Sequence, residues 1–210
     1  MRTLALAVLV LVAVGCDSSP APLTGTLTVF INEADAPDVA RTAAILSQRL
    51  SEYLWKGASI SVDSQSGKSI VFSFRGAPDY PEDLIRYFVL SRGEFRLLPA
   101  DDRAHPWATQ DDVIDARAFS VSKDAPTSYI GMRFSKERGS DLLKNSGAYV
   151  GREILVTMDD EVVSRATVRA PFGGEVQFDS PGGGRSLMLV ILLRYGALPV
   201  EVTSYKYERH

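Results

Sequence analysis

Ser120-Val-Ser-Lys123 has the Ser-x-x-Lys spelling of acyl-serine enzymes. That chemistry needs the serine at a helix start and a separate Lys-Thr-Gly element. The surrounding residues read as a loop, and the chain has no Lys-Thr-Gly, so the spelling is a chance match. Ser180-Pro-Gly-Gly-Gly-Arg-Ser186 puts glycine amides ahead of a helical stretch, an arrangement that cradles anions. It lacks the Gly-Lys-Ser/Thr ending and the spacing of a nucleotide loop, and reads as a flexible connector. Three acidic groups could offer oxygen ligands: Asp101-Asp102, Asp111-Asp112 with Asp115, and Asp159-Asp160-Glu161. None has the alternating Asp/Asn pattern, central glycine and terminal glutamate of a calcium loop. The two histidines, His105 and His210, cannot build a zinc site without further nitrogen or sulfur ligands. His105, next to Pro106 and Trp107, reads as part of a packed loop. No nucleophile elbow and no His-Glu-x-x-His occurs. The residues predict no catalytic set, no metal site and no cofactor, and so no enzyme.

Cys16 is different. It is the single cysteine, so no intrachain disulfide is possible. It follows Arg2 and an apolar run from Leu4 to Val14, ending in Ala13-Val14-Gly15-Cys16. That run is too short for a membrane-spanning helix, which takes about 20 residues. It suits the apolar region of a secretory signal, typically about 7–15 residues. The stretch resembles a bacterial lipoprotein signal, with Ala13 standing where leucine is usual. The resemblance implies cleavage before Cys16 and a diacylglyceryl group on its sulfur. Residues 1–15 are then the signal peptide. Residues 16–26, rich in Pro and Ser, form a tether. Two acyl chains, at about 0.8 kcal/mol per buried CH₂, hold a protein firmly on a membrane. The expected location is the cell envelope, lipid-anchored and facing the periplasm or exterior. Asp17 resembles an inner-membrane retention signal. No later stretch reaches about 18 consecutive apolar residues.

The chain of 210 residues has a formal net charge of −3, and without the first 15 residues 22 basic side chains face 26 acidic ones. Such a balance excludes the basic footprint of a nucleic-acid binder. Hydrophobic residues make up 45% of the chain, enough for a core of one or two domains.

The elements follow from periodicity. Leu27 to Ile31 reads as a strand. Val39, Ala43, Leu46, Leu50 and Leu54 recur at helical spacing over 37–56, with Asp35 or a neighbour as a cap and Gly57 as a stop. Ile60 and Val62, then Ile70, Phe72 and Phe74, alternate as a hairpin. A second helix opens at Pro81 with Glu82 and Asp83 and stops at Gly93. Phe95 to Leu98 is the fourth strand. The order β-α-β-β-α-β is that of a ferredoxin-like unit. After Pro99 come an acidic loop, a strand with Ile130, Met132 and Phe134 on one face, and a short helix interrupted by Gly139. A second hairpin and a glycine turn into a further strand follow. A helix over 185–195 comes next, then a last strand from Val200 to Tyr207. At its end Arg194 suits the helix C-terminus, Gly196 the left-handed cap, and Pro199 the stop.

Leu192-Leu-Arg194-Tyr-Gly196-Ala197-Leu198-Pro199-Val-Glu-Val202 resembles the end of the first extracytoplasmic domain of the SecD/SecDF protein-export family. The resemblance extends back over Val150–Phe178, through Gly151, the turn at Asp159, the pair Gly173-Gly174, and Gln177. Gly93 to Pro99 is similar to the strand leading from that domain's base to its head. The resemblance implies an α+β fold: a ferredoxin-like βαββαβ base (27–99 and 182–210) with an inserted α+β head subdomain (100–181). It also implies unfolded polypeptide or the Sec translocon as partner, met through a strand edge and an apolar groove between base and head. A scaffold for partner docking without an export role is the alternative, since fold does not fix function. The family's Asp-Gly-Lys turn is Asp159-Asp160-Glu161 here, and its Ser-Ala-Pro is Ser164-Arg165-Ala166. The resemblance stops short of the family's transmembrane helices and implies no proton-driven motor.

Overall fold

The computed structural model describes residues 23–53, 58–77, 82–120, 127–181 and 184–210. Cys16, Leu54, Trp55, Gly57, Pro81, the positions 121–123 of the Ser-x-x-Lys spelling, and 182–183 of the glycine connector lie outside them.

The first layer is a four-stranded antiparallel sheet. Its strands are β1 (Leu23–Ile31), β2 (Ser59–Ser66), β3 (Ser69–Ala77) and β11 (Val202–Arg209), in the order β11-β1-β3-β2. Alternation aims Leu27, Val29, Ile70 and Phe72 at one face, where all four are fully buried. α1 (Ala36–Tyr53) and α2 (Glu82–Leu90) bring Val39, Ala43, Leu46, Leu50, Ile85 and Phe88 into the same core. Asp35 caps α1, its carboxylate accepting the Asp38 amide at 3.1 Å.

The strand at Phe95–Pro99 (β4) does not close this sheet. It lies in a second sheet of order β5-β4-β8-β9, with β5 (Ala108–Thr109), β8 (Glu153–Met158) and β9 (Glu161–Thr167). This corrects the expected fourth strand, and burial supplies the reason. Phe95, Leu97, Leu98 and Pro99 are buried to both sides, as an inner strand requires. The outer place beside β1 instead goes to β11, which is mostly exposed and carries Lys206, Glu208 and Arg209, as suits an edge. The ferredoxin-like strand order is therefore completed by the last strand of the chain.

A third sheet, β10-β7-β6, is formed by β6 (Val113–Ser120), β7 (Thr127–Phe134) and β10 (Glu175–Pro181). α4 (Gly184–Tyr195) lies between this sheet and α1. Every residue from Met188 to Leu193 is buried, so the helix is apolar nearly all round, as a helix covered on two sides must be. β6 follows the acidic loop at a stretch whose periodicity predicts no element. Its one fully buried residue is the small Ala116, a weak apolar signal, and α4 packs closely against that strand.

α3 (Lys136–Gly147) is not interrupted at Gly139. The loop at Gly173-Gly174 crosses the helix there. A Cβ on Gly139 would stand 2.8 Å from the Gly174 Cα, and one on Gly173 would stand 3.2 Å from the Gly139 carbonyl oxygen. Two backbones meet with no room for a side chain.

Candidate functional site

The chain passes between the first sheet and the other two sheets at Ser91–Glu94 and returns at Gly196–Val200. One side chain binds both passages. Arg49, on α1, is fully buried. Its Nη1 donates to the carbonyls of Ser91 at 2.7 Å and Phe88 at 3.4 Å, and its Nη2 to those of Arg92 at 3.0 Å and Gly196 at 2.6 Å. These carbonyls lie at the C-terminal ends of α2 and α4, where the helix dipole is negative and stabilises a cation. Burial lowers the guanidinium to about 10, with Asp159 acting in the opposite direction, so Arg49 stays charged at neutral pH. Gly93, at φ +81°, leaves the space: a Cβ there would be 2.4 Å from Arg49 Nη2. The Leu198 amide donates to the Arg92 carbonyl at 2.8 Å and ties the passages directly.

The motif residues of the return passage are fixed in turn. Arg194, in the last turn of α4, donates from Nε to the Ala116 carbonyl on β6 at 3.0 Å and from Nη1 to Glu52 on α1 at 2.7 Å. The Tyr195 hydroxyl donates to the other Glu52 oxygen, and burial together with that bond pushes the phenol up to about 12. Gly196, at φ +84°, ends α4 with its amide on the Leu192 carbonyl. Leu198 is buried, while Gly196, Ala197, Leu198 and Pro199 line a shallow cleft with Arg41, Arg92 and Arg194.

Asp159 secures the outgoing passage. It stands with Asp160 in the β8–β9 turn, both at positive φ, +51° and +65°. Its carboxylate accepts the Ser91 hydroxyl and the Glu94 amide, the latter at 2.8 Å, and its amide donates to the Glu94 carbonyl. Beside this latch a groove of about 400 Å³ runs between α2 and the β8–β9 hairpin. Tyr87 and Leu90 form one wall, Met158 and Val163 the other, and Asp83, Arg86, Asp159 and Glu161 stand around it. The Tyr87 phenol is pushed up to about 12, first by burial and then by Asp159, with Glu161 adding to it.

The other motif residues lie elsewhere. Gly151, at φ +87°, turns the chain from α3 into β8, its amide on the Val168 carbonyl. Gly173 and Gly174 cross α3. Gln177 sits on the open face of the third sheet, opposite Gly131 and near Phe119. The motif residues thus divide between the junction and these three places.

Most of the acidic side chains in these groups are engaged with cations or hydrogen-bond donors. Asp101 accepts from Tyr149 and Arg152, Asp112 from Arg138, and Asp115 pairs with Arg117. Among the described residues no group of three or more His, Cys, Asp or Glu could hold a metal ion. His105 is not packed as expected: it is largely exposed, with Nδ1 2.9 Å from Asp102. Its neighbour Trp107 does pack, edge-on against Tyr149. Arg49, Glu52 and Ser91 did not stand out in the sequence. Arg49 offered one signal, a cation three residues after Leu46 on a helix whose apolar face turns inward.

Residues 98–200 match the family described as SecDF, P1 head subdomain. Over that segment the chain is similar to the SecDF family. The protein translocase subunit SecD of Acidaminococcus fermentans is 26% identical over 175 residues, covering 81% of this chain and 40% of that protein. The chain therefore spans less than half the length of this SecD relative. A crystal structure of SecDF in a super-membrane-facing form superposes with a TM-score of 0.68 at 15% identity, covering 89% of this chain and 30% of that one. A structure of a SecDF described as a membrane component that enhances protein export gives 0.62 at 15% identity, covering 87% and 98%. At that identity the likeness is one of fold, an α+β architecture of helices on antiparallel sheets. Among the described residues no helix is long and apolar enough to cross a membrane.

Proposed function

We propose that the chain is a non-catalytic SecD-like module of the cell envelope, tethered by a lipid on Cys16. It holds unfolded or translocating polypeptide as an accessory to export at the Sec translocon. The observation that carries this reading is the half-apolar groove where α2 meets the β8–β9 hairpin, in a chain whose segment 98–200 is similar to the SecDF P1 head. We read 27–94 and 182–210 as base, with α4 as its contact to the head, and assign β4 to the head because it pairs with β8.

Titration of the full chain against a reduced, permanently unfolded protein and against its folded form tests the reading. Weak binding to the unfolded form alone is expected, because ordering a flexible chain opposes association. Equal binding to both, or none to either, refutes it. Capture of Sec translocon subunits from envelope membranes then separates an export accessory from a docking scaffold with no export role. The anchor has its own test. Mass spectrometry of the membrane fraction should find a diacylated peptide beginning at Cys16, and Cys16→Ser should release the protein. A Cys16→Ser protein that stays with membranes would rule the anchor out.

A further inference from the structure

We propose that the groove between α2 and the β8–β9 hairpin takes an extended polypeptide segment that combines apolar with basic residues. The proposal rests on the polypeptide-binding reading above and specifies the kind of segment held. Leu90, Met158 and Val163 present an apolar floor. Three carboxylates, Asp83, Asp159 and Glu161, stand around it against one guanidinium, Arg86. Asp159 is occupied by Ser91 and Glu94. The side chains of Asp83 and Glu161 have no hydrogen bond or ion pair among the described residues, and they face the groove from opposite walls, one on α2 and one on β9. An arriving lysine or arginine would give either its first partner at little desolvation cost, since both acids are exposed.

Shape favours a chain over a small cation. The groove is open and has an apolar strip that a free ion would leave uncovered. β9, which supplies Glu161 and Val163, is the terminal strand of its sheet, and among the described residues no strand is hydrogen-bonded on its other side, though β10 comes near it. A second copy of this protein is a poor occupant, because its own net charge is negative.

The test uses the full chain and two fluorescent peptides of equal length and equal leucine and valine content. One peptide carries lysines, and the other glutamates at the same positions. The lysine peptide should bind about fivefold tighter or more at low salt, the scale of two screened surface ion pairs, with the preference shrinking as salt rises. Charge reversal at two exposed sites, Asp83→Lys with Glu161→Lys, should abolish or invert that preference. The variant should keep the wild-type thermal midpoint within a few degrees. A second variant, Val163→Ser, should weaken both peptides alike. If the permanently unfolded protein binds but the peptides bind equally, or the double variant keeps the preference, the groove assignment falls and the polypeptide-binding reading survives. If neither peptide nor unfolded protein binds, both fall.

Discussion

Arg49 decides more of this structure than any other single residue. A buried charge is tolerated only when its surroundings replace water, and here four main-chain carbonyls do so. Replacing it removes a donor from several buried acceptors at once. Arg49→Met should cost about 3–5 kcal/mol, by analogy with breaking a buried ion pair. Arg49→Lys, whose single nitrogen cannot span both passages, should cost about 2–3 kcal/mol. Urea unfolding of the two variants measures this, and a cost below 1 kcal/mol for Arg49→Met would mean the staple is not stabilising. The sequence shows the charge but not its setting. Helical spacing identifies the inward face of α1 from Val39, Ala43, Leu46 and Leu50. It cannot reveal that the ends of two other helices, more than 40 and more than 140 residues later, converge on that face. Arg194 was legible as a cation at a helix end. That it also covers the Ala116 carbonyl and reaches Glu52 depends on packing alone.

At the scale of elements, local chemistry was readable and partnership was not. The hairpins, the strand around Ile130, Met132 and Phe134, and the helix end at Gly196 follow from alternation and cap residues. Which strand lies fourth in the base does not, because both Phe95–Pro99 and the last strand have strand-like residues. Their burial separates them, and burial is a property of the assembled layers. The β8–β9 turn makes a sharper case. Two consecutive residues at positive φ define a type I′ turn, for which Asx-Gly is preferred, yet Asp160 occupies the second place. Asp160→Gly should stabilise the protein by about 0.5–1 kcal/mol, after loss of the exposed pair with Arg96. The latch at Asp159 should be unaffected. Gly139→Ala should do the reverse. The gain in helix propensity, about 1 kcal/mol, is outweighed by a contact of 2.8 Å with the Gly174 backbone, for a net loss of about 1–2 kcal/mol. Thermal unfolding of both variants checks the opposite signs, and a stabilised Gly139→Ala would show that the loop simply moves aside.

Across the described residues, three sheets and four α-helices share one hydrophobic core, and α4 joins the layers. Removing β11 by ending the chain at Glu201 should expose the edge of β1 and uncover Tyr205-facing core around Val29. Loss of the cooperative melting transition is the expected outcome. A wild-type midpoint in the shortened chain would show that the base needs only three strands. The pairing of β1 with β11 also bears on the order of events during folding. Gly25 meets Arg209 and Leu27 meets Tyr207, so the earliest strand waits for a partner about 180 residues downstream. Pairings of such long sequence separation are slow to form, because loop closure precedes any reward from contact. A chain threaded through a pore from its N-terminus would keep one edge of β1, the edge that β3 does not pair, unsatisfied until nearly all of the chain had emerged. During that interval such a domain would itself be incompletely folded, with an open strand edge that any shield for extended segments could cover.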